Sequence, residues 1–242
     1  AQRLAAVRER MDAACRRADR APDSVRLLPI SKTVPVERLR AAVGAGLSCL
    51  GENKGQEARL KAEAMSDLPV SWSIVGHLQT NKAKEVARFA SAFQALDSLR
   101  VAEALERRLE IEDRTLEVLV QVNTSGEASK FGLAPEEVEG FARELPAFSR
   151  LRVGGLMTLA IFSADAERVR GCFRLLRSIR ERLRQDGPQE IAFDALSMGM
   201  SGDFEIAIEE GSTIVRVGQA IFGPRTTSDA YYWPGAAGAP AP

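Results

Sequence analysis

The sequence predicts an α/β protein, a single (β/α)8 barrel of the TIM-barrel type with one extra helix at its N-terminus. Three observations predict it. Eight short apolar runs of strand character alternate with helical stretches between residues 26 and 225, at about 25–30 residues per unit. The length of 242 residues suits a barrel of roughly 250. No G-x-G-x-x-G follows the first apolar run, so the alternative, an open doubly wound sheet, lacks its usual support. There is no internal repeat. Residues 1–225 therefore read as one domain, and 226–242, rich in Ala, Gly and Pro, as a flexible tail.

Each element has a local reason. Leu4, Val7, Met11, Ala14, Cys15 and Ala18 recur at helical spacing within 2–20, giving a surface helix with one buried stripe. Residues 26–31 form the first strand, bounded by Asp23 and Pro35, with Lys32 at its end. Pro35 opens and Gly44 closes a helix over 36–43. The run 47–50 is the second strand, followed by a helix over 54–65. The third strand spans 70–75, and Thr80 or Asn81 can cap the helix running to Ala90. Residues 92–96 make the fourth strand, and Asp97 or Ser98 caps a helix to about residue 110. The strongest β signal, 116–122, leads to a polar loop, after which Pro135 opens a helix. Strand six is 151–157, with a long amphipathic helix over 164–184. Strand seven, 193–196, precedes a helix over 202–210, and strand eight is 213–217.

Composition narrows the chemistry. Apolar residues make up 45% and charged residues 27%, enough for a sizeable core. Lys+Arg and Asp+Glu balance at 33 each, so no general field draws nucleic acid or anionic lipid, and any anion site must be local. Three separated cysteines and one histidine, His77, offer no metal-ligand spacing, and free thiols suit a reducing cytoplasm. No membrane-spanning run is present.

In a barrel, the C-terminal strand ends converge on one face, where ligands bind. Collected there are Lys32, Asn53, His77, Met157, Ser197, Ser201 and Arg216. Alternation puts Leu28, Ile30 and Lys32 on one face, so an amine follows two core side chains. Desolvation disfavours the charged form of such an amine, which makes Lys32 a candidate Schiff-base nucleophile; the plainer alternative is a strand-end lysine reaching for water. Arg216, inside the eighth strand, is costly unless something pairs with it. Ser197-Met-Gly-Met-Ser201 opens a helix whose backbone and Ser201 hydroxyl can face a phosphate, and Gly218-Gln219 lets backbone approach a ligand after strand eight. Loops after strands seven and eight form the usual phosphate site of this fold. A lysine, a phosphate cradle and a cation near a ring nitrogen match what pyridoxal phosphate needs.

The motifs Ser31-Lys32-Thr33, Gly51-Glu52-Asn53 with Gln56-Glu57, Gly76-His77-Leu78-Gln79-Thr80-Asn81-Lys82 and Val122-Asn123 with Glu127, Lys130 and Gly132 occur in order. Gly154-Gly155-Leu156-Met157, Ser197-Met198-Gly199-Met200-Ser201 and Val215-Arg216-Val217-Gly218 with Ile221-Phe222-Gly223 complete the series. Across 26–225 the chain resembles the pyridoxal-phosphate homeostasis family, single-domain barrels related to the alanine-racemase N-terminal domain (cofactor fold type III). The resemblance implies that Lys32 forms the Schiff base and Arg216 faces the pyridine nitrogen. It also implies that Ser201, Gly218 and Gln219 hold the phosphate and that Asn53 lies near the ring hydroxyl; Met157 and Ser197, collected at the strand ends, are counted with them in the expected cofactor site. Gln219 stands where the family commonly has threonine, and Trp72-Ser73 replaces a frequent Trp-His.

Turnover is not expected. An arginine stays charged, so the ring nitrogen beside it does not hold a proton comfortably and the cofactor is a weaker electron sink. A racemase also needs an acid/base on each face of the substrate carbon, and both tyrosines, Tyr231 and Tyr232, fall in the tail. The resemblance thus implies a cytoplasmic, monomeric carrier of pyridoxal 5'-phosphate that serves cofactor-dependent apoenzymes, with no nucleic-acid or membrane partner. A pyridoxal-dependent racemase or lyase is the alternative, and a phosphosugar enzyme the third.

Overall fold

The computed structural model describes residues 2–224, so the tail expected at 226–242, with its two tyrosines, lies outside the described residues. Eight strands run parallel: β1 (Arg26–Pro29), β2 (Cys49–Glu52), β3 (Ser71–Ile74), β4 (Ala92–Leu96), β5 (Leu116–Gln121), β6 (Leu151–Met157), β7 (Ala195–Ser197) and β8 (Ile214–Val217). Each is followed by a helix: α2 (Val36–Gly44), α3 (Gly55–Ala64), α4 (Ala83–Phe89), α5 (Leu99–Ile111), α6 (Val138–Glu144), α7 (Ala166–Asp186), α8 (Phe204–Glu209) and α9 (Gln219–Phe222). Helix α1 (Gln2–Arg17) precedes them all.

The sheet order is β1-β8-β7-β6-β5-β4-β3-β2, and an isolated bridge from Ile30 to Gly51 joins β1 to β2. The barrel therefore closes. Its β1–β2 seam is reinforced by the Ser31 backbone N–H, which donates to the Gly51 carbonyl at 2.9 Å. Leu50, Phe93, Leu96, Val118 and Leu156 are fully enclosed between the strands and the helical ring.

The helix after β8 is a single turn, too short to cover the outer face there. Helix α1 packs against α8 and α9 instead and buries Leu4, Val7, Met11, Ala14 and Cys15. The expected stripe ends one position early, because the helix stops at Arg17 and leaves Ala18 half-buried.

Several boundaries differ from expectation for physical reasons. The second strand lies at 49–52 rather than 47–50, since Leu50 and Gly51 pair with Trp72 and Ser73 of β3. Ser98 does cap α5, accepting from the Val101 N–H. Thr80 and Asn81 do not cap α4; they form a 3-10 turn, and no side-chain cap bond precedes the helix. Pro135 lies three residues before α6, whose lead-in is held by Glu137 accepting from the Ala134 N–H at 2.9 Å. None of the helices is long and apolar enough to cross a membrane among the described residues.

Candidate functional site

The first strand stops at Pro29, so Lys32 sits in a turn beyond it rather than at its last position. That turn is fixed at both flanks. Ser31 donates through Oγ to Glu52 Oε1 at 2.7 Å, and the Thr33 N–H donates to Glu57 Oε1 at 3.1 Å. Thr33 has φ 65, a left-handed conformation that a β-branched residue adopts only when its surroundings insist. Lys32 itself is half-buried.

Strand β8 lies beside β1, with Leu28 paired in register to Arg216. The Ile30 N–H donates to the Val217 carbonyl at 2.9 Å, which carries the pairing to the rim. Gly218 follows directly, and a Cβ there would stand 3.1 Å from the Ile30 carbonyl oxygen. Backbone is thus packed on backbone two residues from Lys32. The Gly218 N–H donates to Ser201 Oγ at 3.3 Å, joining the loops after β7 and β8. Gln219 is exposed at the same corner.

The expected role of Ser201 as the opening of a helix is corrected. Helix α8 begins only at Phe204, and the loop before it is closed by Asp203 accepting from the Met200 N–H. What Ser201 offers is a hydroxyl beside a backbone N–H, not the end of a helix.

Arg216 is buried, at 3% exposure. Its guanidinium donates to Ser197 Oγ and to the Thr158 carbonyl, each at 2.7 Å. Ser197 in turn donates to Gln94 Oε1 at 2.7 Å, so a polar chain crosses from β8 through β7 to β4. Burial lowers the Arg216 pKa to about 10, partly offset by the negative charge of Asp203. Asp203 is itself pushed above the usual carboxylate range by burial, against the Met200 hydrogen bond and the pull of Arg216. Met157 is fully enclosed and pairs in register with Ser197.

Asn53 closes the β2 side. A Cβ on Gly76 would fall 2.1 Å from the Asn53 carbonyl oxygen and 2.6 Å from its Oδ1, so the two loops touch at a spot only glycine permits. His77 lies next to Gly76 in the chain. It stacks on Phe131, with centroids 4.0 Å apart, and its Nδ1 lies 3.4 Å from Asp97 Oδ2.

The eight expected residues thus cluster at the C-terminal ends of β1, β2, β6, β7 and β8. Gln94 and Thr158 were not anticipated. A glutamine within the apolar run Ala92-Phe93-Gln94-Ala95-Leu96 was the available signal; Thr158 contributes a main-chain carbonyl, for which no sequence signal exists. A separate cleft lined by Arg8, Asp12, Leu47 and Cys49 opens at the other end of the barrel and contains none of these residues.

A family model described as "Alanine racemase, N-terminal domain" matches residues 3–226. The pyridoxal phosphate homeostasis protein of Aquifex aeolicus is 41% identical over 93% of this chain and 97% of its own length. The chain belongs to the pyridoxal phosphate homeostasis protein family. A second family member, from Pseudomonas aeruginosa, is 39% identical over 93% of this chain and 95% of its own. Among solved structures, PipY of Synechococcus elongatus with pyridoxal phosphate bound is 32% identical, with a TM-score of 0.80 over 92% of this chain and 99% of that one. Alanine racemase of Streptomyces coelicolor, at 19% identity and a TM-score of 0.68, covers 91% of this chain and 58% of its own, a likeness of fold alone. The family barrel accordingly corresponds to only one part of that racemase.

Proposed function

We propose that this protein binds pyridoxal 5'-phosphate through a Schiff base on Lys32 and acts as a cytoplasmic, monomeric carrier in vitamin B6 homeostasis, supplying apoenzymes rather than turning over a substrate. The observation that carries the proposal is the donor set on one rim. The Ser201 hydroxyl and Gly218 N–H already bond to each other beside the backbone of Ile30, two residues from Lys32. The buried Arg216 guanidinium lies on the neighbouring strand. These groups fit a ligand with an anionic end, an aromatic nitrogen and a carbonyl. The bound cofactor of PipY, in a chain of matching length, supports the same reading.

When bound, pyridoxal phosphate supplies an aldehyde that condenses with a primary amine and releases water. Lys32 provides that amine. Ser201 and the N–H groups of Gly218 and Gln219 hold the phosphate; the glutamine side chain is exposed and leaves that task to its backbone. Arg216 would present a fixed cation to the ring nitrogen, which would disfavour a proton there. Ser197, anchored by Gln94, holds the guanidinium in place. Asn53 would lie on the side of the ring hydroxyl, and Met157 would offer the ring an apolar surface.

The purified protein should show a visible absorption band that borohydride abolishes, with the reduced adduct mapping to Lys32 and missing in Lys32→Ala. A protein that stays colourless after incubation with pyridoxal phosphate would overturn the cofactor assignment. Sustained racemisation or elimination on a panel of amino acids, lost in Lys32→Ala, would replace the carrier role with an enzymatic one.

A further inference from the structure

We infer that Glu57 and Lys61 of α3, together with Glu52 of β2, are positioning residues that clamp the turn carrying Lys32 and so set where its amine meets the ligand's carbonyl. The inference rests on the Schiff-base reading above. Both neighbours of Lys32 are gripped by the same cluster. Lys61 Nζ donates to the Ser31 carbonyl at 2.8 Å, to Glu52 Oε1 at 2.6 Å and to Glu57 Oε1 at 2.8 Å. Those two carboxylate oxygens are the ones that accept from Ser31 Oγ and the Thr33 N–H. One ammonium therefore ties the residue before Lys32 to the residue after it.

The arrangement is expensive for mere packing. The Lys61 side chain is 9% exposed and that of Glu52 is fully covered. Glu52 Oε2 is buried with no hydrogen-bond partner among the described residues, and taking such an oxygen out of water is unfavourable. Thr33 is held in its left-handed conformation by the Glu57 bond. Buried charge, an unsatisfied oxygen and a strained residue all converge on a three-residue segment. Reaction geometry is where such precision matters, since a displacement of ~1 Å can cost ~100-fold.

The test uses the full chain and two probes that share a ring and a phosphate. Pyridoxal 5'-phosphate can condense with Lys32; pyridoxine 5'-phosphate, an alcohol, can only bind. Glu57→Ala is expected to raise the apparent dissociation constant for the visible band about tenfold and to leave pyridoxine phosphate binding nearly unchanged. Glu57→Gln, which keeps an acceptor for the Thr33 N–H, should recover most of the loss. If Glu57→Ala does not fold, Glu57→Asp, with its acceptor one methylene short, is put through the same pair of titrations. Equal loss of both probes, or no loss of either, overturns the clamp. A parent protein with no reducible adduct on Lys32 would sink the Schiff-base reading and the clamp with it. A parent adduct alongside an unaffected Glu57 variant would sink the clamp alone.

Discussion

Replacing Lys61 with methionine isolates the energetics of the cluster behind the first strand. The substitution keeps the apolar stem of the side chain and removes the ammonium that joins Glu52, Glu57 and the Ser31 carbonyl. Breaking a buried ion pair by removing one partner costs about 3–5 kcal/mol, because an uncompensated charge stays behind. In a chain of this size that corresponds to a fall in Tm of about 6–20 °C, at ~2–4 °C per kcal/mol. The pH dependence has a definite sign. Burial already raises the Glu52 pKa, and Lys61 opposes that rise. Without Lys61 it climbs further, so the variant recovers as acid neutralises Glu52. Burial also pushes Glu57 upward, but bonds from Lys61 and the Thr33 N–H outweigh it and hold the group low. That stabilisation belongs to the parent and fades as pH falls through the carboxylate range. The Glu52 effect shrinks the gap between parent and variant as the buffer moves from pH 8 to pH 5, and the Glu57 effect adds to it only in stronger acid. Thermal melts followed by circular dichroism at a series of pH values measure it. A Tm within a degree or so of the parent at neutral pH, or a gap that widens in acid, would refute the reasoning.

Two further outcomes follow from the rim. Ser201→Ala removes the acceptor of the Gly218 N–H and the hydroxyl proposed to hold the phosphate; a hydrogen bond to a charged group is worth about 1.5–3 kcal/mol, so the dissociation constant for pyridoxal phosphate should rise tenfold or somewhat more, to ~100-fold, with the adduct still mapping to Lys32. Fluorescence titration measures the constant, and an unchanged value would remove Ser201 from the phosphate site. Gly76→Ala drives a Cβ into the Asn53 backbone and should destabilise by about 1–3 kcal/mol, whereas Gly44→Ala meets nothing within 4 Å and should be neutral or slightly stabilising; paired thermal melts compare them.

The barrel was legible because its strands are short apolar runs between helices of regular length. Ala92–Leu96 and Leu151–Met157 match their expected bounds to the residue. Where runs failed, ladder partners had decided the ends: β2 shifts to end on Glu52, a carboxylate that no hydrophobic pattern would place in a strand. The rim residues could be grouped from the sequence because strand ends in a barrel must converge. Their supports were not readable. Glu57 and Lys61, four apart on a helix, look like an ordinary surface pair until the fold presses them against the first strand. Gln94 and Arg216 meet through Ser197 only because the closed barrel brings β4 close to β7 and β8, although β5 and β6 separate them in the sheet.

The guanidinium enclosed at the top of the eighth strand has a thermodynamic consequence for the molecule as a whole. It holds its proton against dehydration, with two neutral oxygens as its hydrogen-bond acceptors and Asp203 acting on it through space. A chain with no net charge thus keeps a cation inside itself rather than on its skin, offset only in part by Asp203. An anion bound near it would lighten the penalty of enclosing it, so binding such an anion would also stabilise the fold.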